Sequence, residues 1–188
     1  MVWVLLTEKF IPSYANVLVR TYCNRRFSNE EFPMRWATLT FGKHAGKTLP
    51  EIILSDADWV FWAVKKSAFK GRLANEAAKL VESARAIKIP KRNPKRWQVE
   101  YSYDDTGGFC GFQFVKADVP SPCGRRSIRR LPYLDFSCIR RKAYDKRGCR
   151  NLLRDFRCHY FGDNTRLTKR RCEQFFSNKK NFLRAVSS

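Results

Sequence analysis

The 188-residue sequence contains no apolar run that approaches the roughly 20 residues needed for a membrane-spanning helix. Its opening segment, VWVLL, is short, has no preceding positive charge and lacks a small-residue cleavage site, so it does not have the pattern of a signal peptide. These absences predict a protein that has no membrane partner and is located in the cytoplasm.

Closely spaced cysteine pairs are also missing. The seven cysteines stand at positions 23, 110, 123, 138, 149, 158 and 172, and no Cys-x-x-Cys occurs. Zinc sites usually take ligands from such pairs, because one tight turn then presents two thiolates to the same ion. The odd count and wide spacing predict reduced, mostly buried thiols, with no metal or other cofactor. A metal cluster of Cys149, Cys158, His159 and Cys172 is the open alternative.

Acidic residues are scarce relative to basic ones. Lysines and arginines number 38 against 17 aspartates and glutamates, which gives a formal net charge of +21. Self-repulsion of this size favours a polyanionic partner, and nucleic acid is the usual one. Residues 119–188 contain 19 of the basic residues but only 5 of the acidic ones, interleaved with apolar positions. This interleaving indicates a folded basic surface and not a disordered tail.

Hydrophobic patterning divides the chain into three parts and predicts an α+β fold. Residues 1–33 form a lead whose pattern fits either strand or helix. Residues 34–89 form a small module of a β-hairpin and helices, and residues 97–188 form a basic domain with an aromatic β-hairpin and C-terminal helices. The segment IPKRNPKR is predicted to be the linker, because its prolines disfavour regular structure and its cations keep it in solvent.

The small module begins with an alternating run, Trp36 to Phe41, that predicts a half-buried strand. Gly42 and Gly46 bracket a short link and let the chain reverse, since glycine adopts positive φ without a Cβ clash. Lys47 to Ile53 is predicted to return as a second strand or to enter a turn. A helix is expected over residues 71–88, where apolar residues repeat at spacings of three and four.

The order of residues in this module resembles the C-terminal accessory domain of the exodeoxyribonuclease X-like proteins and of related short phage and bacterial proteins. In that family the domain accompanies nucleic-acid enzymes, so the resemblance implies contact with nucleic acid and favours DNA. The family's catalytic part is a separate exonuclease domain with paired carboxylates near its start. This sequence has no matching carboxylates, so the resemblance implies no catalysis. It is confined to residues 36–69 and is carried by Phe41, Gly42, Lys43, Gly46, Lys47, Thr48, Leu49, Ile52, Asp56, Trp59 and Trp62.

Two groups of aromatic residues have a regular spacing. Trp97–Tyr103 and Phe109–Val115 flank turn-forming residues and predict a β-hairpin with an aromatic face. Such a face can stack unpaired bases or fill a core, and the sequence leaves both interpretations open. Trp59 and Trp62 repeat at helical spacing, which is more typical of a core than of base stacking.

The predicted phosphate contacts are basic residues in three groups: the Gly-Lys turn, an arginine-rich loop expected from Pro120 to Pro132, and the C-terminal helical region. Arginine suits this role because its planar guanidinium binds phosphate through two hydrogen bonds and loses its hydration more readily than an ammonium. The predicted nucleic-acid-binding residues are Lys43, His44, Lys47, Arg125, Arg126, Arg129, Arg130, Arg140, Arg141, Lys142, Arg154, Lys169, Arg170 and Arg171.

These observations predict a non-catalytic nucleic-acid-binding protein, with DNA favoured over RNA. A metal-dependent nuclease is one alternative, because Asp104, Asp105 and Asp118 could hold Mg²⁺ near Lys116, although acidic residues also cluster in turns for conformational reasons. The other alternative is a phage-type factor that binds a host protein within a nucleic-acid complex.

Overall fold

Helices and one antiparallel sheet form the α+β fold. The computed structural model describes residues 36–90, 92–93, 95–120, 127–142, 145–162 and 165–183. All of these belong to one compact unit, Pro33–Ser188, and the predicted lead, residues 1–33, lies outside them. No helix in the described part of the chain combines the length and the apolar character required to cross a membrane.

The elements follow one another from the small module to the basic C-terminal region. The α-helices are α1 (Leu49–Ile53), α2 (Ala57–Lys65), α3 (Gly71–Ala84), α4 (Lys146–Phe161) and α5 (Lys169–Ser177), and short 3-10 helices span Phe136–Arg141 and Lys179–Asn181. The strands are β1 (Trp97–Tyr103), β2 (Phe109–Lys116) and β3 (Ser127–Leu131).

The strand pair predicted at the start of the module is reduced to one antiparallel bridge between Thr38 and Thr48. The returning segment enters helix α1 because Thr48 and Glu51 form a capping box, in which the Glu51 carboxylate accepts a hydrogen bond of 2.9 Å from the Thr48 N–H. Pro50 lies in the first turn of this helix, where its missing N–H is not needed.

The predicted linker does not separate two hydrophobic cores in the described residues. Helix α3 ends earlier than the predicted helix over 71–88, because Ile87 pairs with Leu134 and with Phe182 as an extended residue. Backbone hydrogen bonds of 3.0 and 2.8 Å join Ile87 and Leu134, and both side chains are fully buried. The small module and the basic region therefore contribute to one core.

The sheet has the strand order β2-β1-β3, with β1 antiparallel to both neighbours. The predicted hairpin of β1 and β2 is confirmed. The prediction of a loop from Pro120 to Pro132 was wrong for Ser127–Leu131, which pairs with β1. The arginines of β3 give this segment the composition of a loop. Charged side chains are nevertheless typical of edge strands, because they discourage pairing with a further strand.

One face of the sheet packs into the core. Val99, Tyr101 and Tyr103 are at most 1% exposed on this face, and α4 packs against β2. The Tyr101 hydroxyl donates a 3.0 Å hydrogen bond to the Tyr133 carbonyl and accepts one of 2.7 Å from the Asp135 N–H. Of the two interpretations of the aromatic face, core filling therefore accounts for these rings.

The opposite face carries a buried ion pair between Glu100 and Arg130. Arg130 Nε donates to Glu100 Oε2 at 2.8 Å, and Gln113 Nε2 donates to Glu100 Oε1 at 2.8 Å. The Arg130 guanidinium also donates to the carbonyls of Val119 and Pro120. Only 5% of the Glu100 side chain and 16% of the Arg130 side chain are exposed. The donors of Arg130 are therefore occupied inside the fold, which disfavours its predicted role as a phosphate contact.

We expect Arg130→Met to lower the free energy of unfolding by about 3–5 kcal/mol, because it leaves the Glu100 carboxylate buried without its partner. Arg129→Met is the matched control, because Arg129 is the adjacent arginine and is exposed. Substitutions of exposed residues usually change stability by less than about 0.5 kcal/mol. Urea denaturation of both variants measures the difference. Equal stabilities for the two variants would contradict a structural role for the buried pair.

Candidate functional site

An open cleft of about 920 Å³ lies between α2, α3, β3 and the 3-10 helix at Phe136–Arg141. Its floor includes the side chains of Phe61, Val64, Val81 and Tyr103, and none of the described residues that line it is acidic. Five cationic residues surround this floor. They are Lys65, Arg85, Arg129, Arg140 and Arg141.

Regular spacing within each element brings these side chains to the cleft. Phe61 and Lys65 lie four residues apart on α2, and helical residues at this spacing share a face. In β3, Arg129 is the register partner of Tyr101, so its side chain lies on the core side of the sheet and not on the side of Arg130. Each element thus contributes cationic or apolar groups to the same depression.

Two arginines of the cleft rest on aromatic rings of its floor. The guanidinium carbon of Arg141 lies 4.6 Å from the ring centre of Tyr103, and that of Arg85 lies 5.7 Å from the ring centre of Phe61. Cation–π attraction of this kind restricts the guanidinium without neutralising it. Burial raises the pKa of Tyr103 to about 12, so the ring stays uncharged at neutral pH. The two arginines are therefore partly preorganised for an anion.

Arg140 is the exception among the five cations, because it is ion-paired with Asp58 at 2.5 Å. The Asp58 carboxylate is mostly buried and stands in the first turn of α2. The other four cations make no ion pair with a described residue. The cleft consequently keeps an excess of positive charge that the described carboxylates leave uncompensated.

A second, smaller groove of about 510 Å³ is also rich in arginine. Arg150, Arg154 and Arg157 lie along one face of α4, at spacings of four and three residues, and Arg166 closes the groove. Arg154 also pairs with Asp155 at 2.9 Å, but its side chain remains 70% exposed, and exposed pairs of this kind are weak. This groove is a second surface on which an extended polyanion could bind.

The Gly-Lys turn is tied to the start of α2. Lys43 Nζ and His44 Nε2 lie 2.6 and 3.1 Å from the same Asp56 oxygen. The neighbouring Ser55 lines the second groove, so the turn lies beside that surface. His44 is only 8% exposed and its ring contacts Trp59 edge-on, which disfavours its predicted role as a phosphate contact. Lys47 is exposed.

The structure brings together only some of the predicted phosphate contacts. Arg129, Arg140 and Arg141 converge on the cleft, and Arg154 lies in the second groove. Lys142 donates to the Thr106 hydroxyl at 3.0 Å and does not line the cleft. The remaining predicted residues are Lys169, Arg170 and Arg171, which lie exposed in the first turn of α5, and Arg125 and Arg126, which lie outside the described residues.

The cationic residues of these two surfaces that are not among the predicted phosphate contacts are Lys65, Arg85, Arg150, Arg157 and Arg166. A signal existed for the α4 arginines, because the spacing from 150 to 154 to 157 places them on one helical face. No local signal existed for Lys65 and Arg85. Lys65 stands next to Lys66 at the end of α2, Arg85 directly follows the last residue of α3, and only the packing of α2 beside α3 brings the two together.

The geometry does not support the metal-binding alternatives. Asp104 is bonded within its turn to the N–H groups of Thr106 and Gly108, whereas Asp118 follows the far end of β2. About six residues of strand separate these ends, or roughly 20 Å. No group of three His, Cys, Asp or Glu side chains in the described residues has a metal-binding arrangement. Of the cysteine cluster, Cys149 and Cys172 are buried, and burial raises the pKa of both thiols.

Comparison with known proteins adds no further evidence. No family model, curated protein or solved structure matches this chain. The interpretation of the site therefore rests on its residues and their geometry.

The Asp56 cluster generates a prediction on pH dependence. Burial lowers the pKa of His44, outweighing the hydrogen bond to Asp56. Partial burial acts to raise the pKa of Asp56, but the hydrogen bonds from Lys43 and His44 outweigh it and hold that pKa below its usual value. Both groups thus bind a proton less readily in the folded state, so each contribution to stability is lost as the pH falls through its folded pKa.

We expect the free energy of unfolding to decrease more in the wild-type protein than in His44→Gln as the pH falls from about 7 to about 5, since an unfolded histidine titrates near 6.5. The Asp56 contribution is lost at lower pH, below the usual aspartate pKa of about 3.9, and persists in the variant. Urea denaturation of the wild type and of the variant between these two pH values measures the His44 contribution. Parallel pH curves between 7 and 5 would argue against the assigned state of His44.

Proposed function

We propose that this protein binds nucleic acid without a catalytic activity of its own, and that the cationic cleft is its principal phosphate-binding site. The observation that carries the proposal is the convergence of five cations from α2, α3, β3 and the 3-10 helix on one depression that no described carboxylate lines. Clefts lined by one sign of charge concentrate ligands of the opposite sign. The ligand is therefore an anion.

A sugar-phosphate chain fits this surface better than a small anion does. The cleft is open and broad, and the second groove adds Arg150, Arg157 and Arg166 on another element. Charges spread over separate elements match a ligand that repeats its charge at regular intervals. Phosphate contacts supply most of the non-specific affinity of proteins for nucleic acid, and guanidinium groups make such contacts well.

DNA is the favoured form of nucleic acid. This preference rests on the resemblance of residues 36–69 to the accessory domain of exodeoxyribonuclease X-like proteins. The module contributes Phe61, Val64 and Lys65 to the cleft, so the part of the chain that carries the resemblance supplies one wall of the proposed site.

Salt titration of oligonucleotide binding tests the proposal. If six or more phosphates are contacted, the affinity of the wild-type protein should fall by about 10³ or more between about 50 and 200 mM salt. The double variant Arg129→Gln, Arg141→Gln should bind more weakly and show a salt slope reduced by about 1.4–1.8, because each lost contact removes about 0.7–0.9 from the slope. Fluorescence anisotropy with labelled DNA measures both quantities.

Lys79→Gln combined with Lys180→Gln is the matched control, since it removes the same charge from exposed residues that do not line the cleft. It should change the slope less than the cleft variant does. A wild-type affinity that is insensitive to salt, or equal losses in the two double variants, would overturn the cleft as the binding site. Retention of oligonucleotide only when a host protein is added would favour the alternative of a shared complex.

A further inference from the structure

Trp62 is an exposed aromatic residue beside the cationic cleft. Its side chain is 44% exposed, although exposure of a tryptophan to water forfeits much of the free energy that its burial would provide. None of the described aromatic rings packs against it, whereas its helical neighbour Trp59 packs on His44 and Phe69. The two tryptophans of the Trp-x-x-Trp pattern therefore occupy different environments.

The position of Trp62 on α2 relates it to the cleft. Helical residues three and four positions apart share a face, so Trp62 lies beside Lys65, which lines the cleft, and beside Asp58. The Asp58 carboxylate is held by Arg140, which also lines the cleft. Trp62 itself does not line the cleft, but its helical spacing puts it on the same face as Lys65, a cation of the proposed phosphate site.

Charge and an exposed indole in this arrangement suit one class of ligand. A cationic groove that follows the backbone, flanked by an aromatic side chain that stacks a base, is the usual means by which proteins hold single strands. The bases of a duplex are stacked on one another and present no free face to an indole. The rings inside the cleft cannot serve instead, because Phe61 and Tyr103 are at most 5% exposed and are covered by Arg85 and Arg141.

We propose that the protein binds single-stranded nucleic acid in preference to duplex, with an unpaired base stacked on Trp62 and the adjoining phosphates in the cationic cleft. This inference rests on the proposed nucleic-acid-binding function and adds to it the strandedness of the ligand. It also assigns a binding role to a residue outside the basic clusters.

The test compares an oligothymidylate with a duplex of equal phosphate number, bound by the full-length protein at one salt concentration. Trp62→Leu should weaken single-strand binding by about 5- to 150-fold, which corresponds to about 1–3 kcal/mol for one stacked base. Duplex binding should stay unchanged. Trp62→Phe keeps a smaller aromatic ring, so its single-strand affinity should lie between those of the wild type and Trp62→Leu. This variant keeps the test decisive if Trp62→Leu does not fold.

Phe41→Leu is the matched control, because Phe41 is equally exposed at 44% but lies in the Gly-Lys turn and not on α2 beside Lys65. It should lower the single-strand affinity less than Trp62→Leu does. Oligothymidylate should also quench tryptophan fluorescence in the wild type, and this quenching should be lost in both Trp62 variants, because a stacked base quenches only the indole it contacts.

The possible results separate the inference from the function on which it rests. An unchanged single-strand affinity in Trp62→Leu, or equal losses on single strand and duplex, would overturn the stacking role of Trp62. If the Arg129→Gln, Arg141→Gln variant still lost affinity in that case, the proposed function would stand. Failure of the wild-type protein to bind either oligonucleotide would overturn both.

Discussion

The scarcity of carboxylates, and the way in which the fold occupies them, determines much of this molecule. Of the thirteen acidic residues in the described part of the chain, nine accept hydrogen bonds from backbone or side-chain donors. Asp135 and Asp145 cap helices, and Asp145 also accepts from the N–H of Phe109 in β2. Glu100 is buried against Arg130. Because these acids act inside the fold or at helix starts, few remain to neutralise the surface, and the cleft and the second groove keep their positive charge.

Because some arginines pair with these carboxylates, a dense run of arginines in the sequence does not show which of them could contact a ligand. Arg129 and Arg130 are adjacent in sequence, yet the alternation of side chains along β3 sends one to the cleft and the other to a buried carboxylate. Arg140 and Arg141 are likewise adjacent, and one pairs with Asp58 while the other rests on Tyr103. Burial and ion pairing therefore distinguish the arginines that stabilise the fold from those whose charge is available to a ligand.

The long elements could be predicted from the sequence because their signals are local. The apolar spacing in α3 and α4 and the alternation in β1 and β2 follow directly from helical and strand periods. Strand β3 could not be recognised, because an edge strand rich in arginine has the composition of a loop. The cleft could not be predicted as a whole, since it depends on the packing of α2, α3, β3 and a 3-10 helix that are distant in the chain. Trp62 shares its spacing with Trp59, and only the packing of α2 shows which of the two is buried.

The shared core has a consequence for how the two predicted halves act. The module with the accessory-domain resemblance supplies Phe61, Lys65 and, beside Lys65 on α2, Trp62, whereas the basic region supplies Arg129, Arg140 and Arg141. Two contacts join the module to the basic region: the backbone pairing of Ile87 with Leu134 and the ion pair of Asp58 with Arg140. A nucleic acid in the cleft would contact both halves at once, so neither half contains the whole of the proposed site. Because one core fixes the distance between Trp62 and the cations of the cleft, a single ligand could contact both.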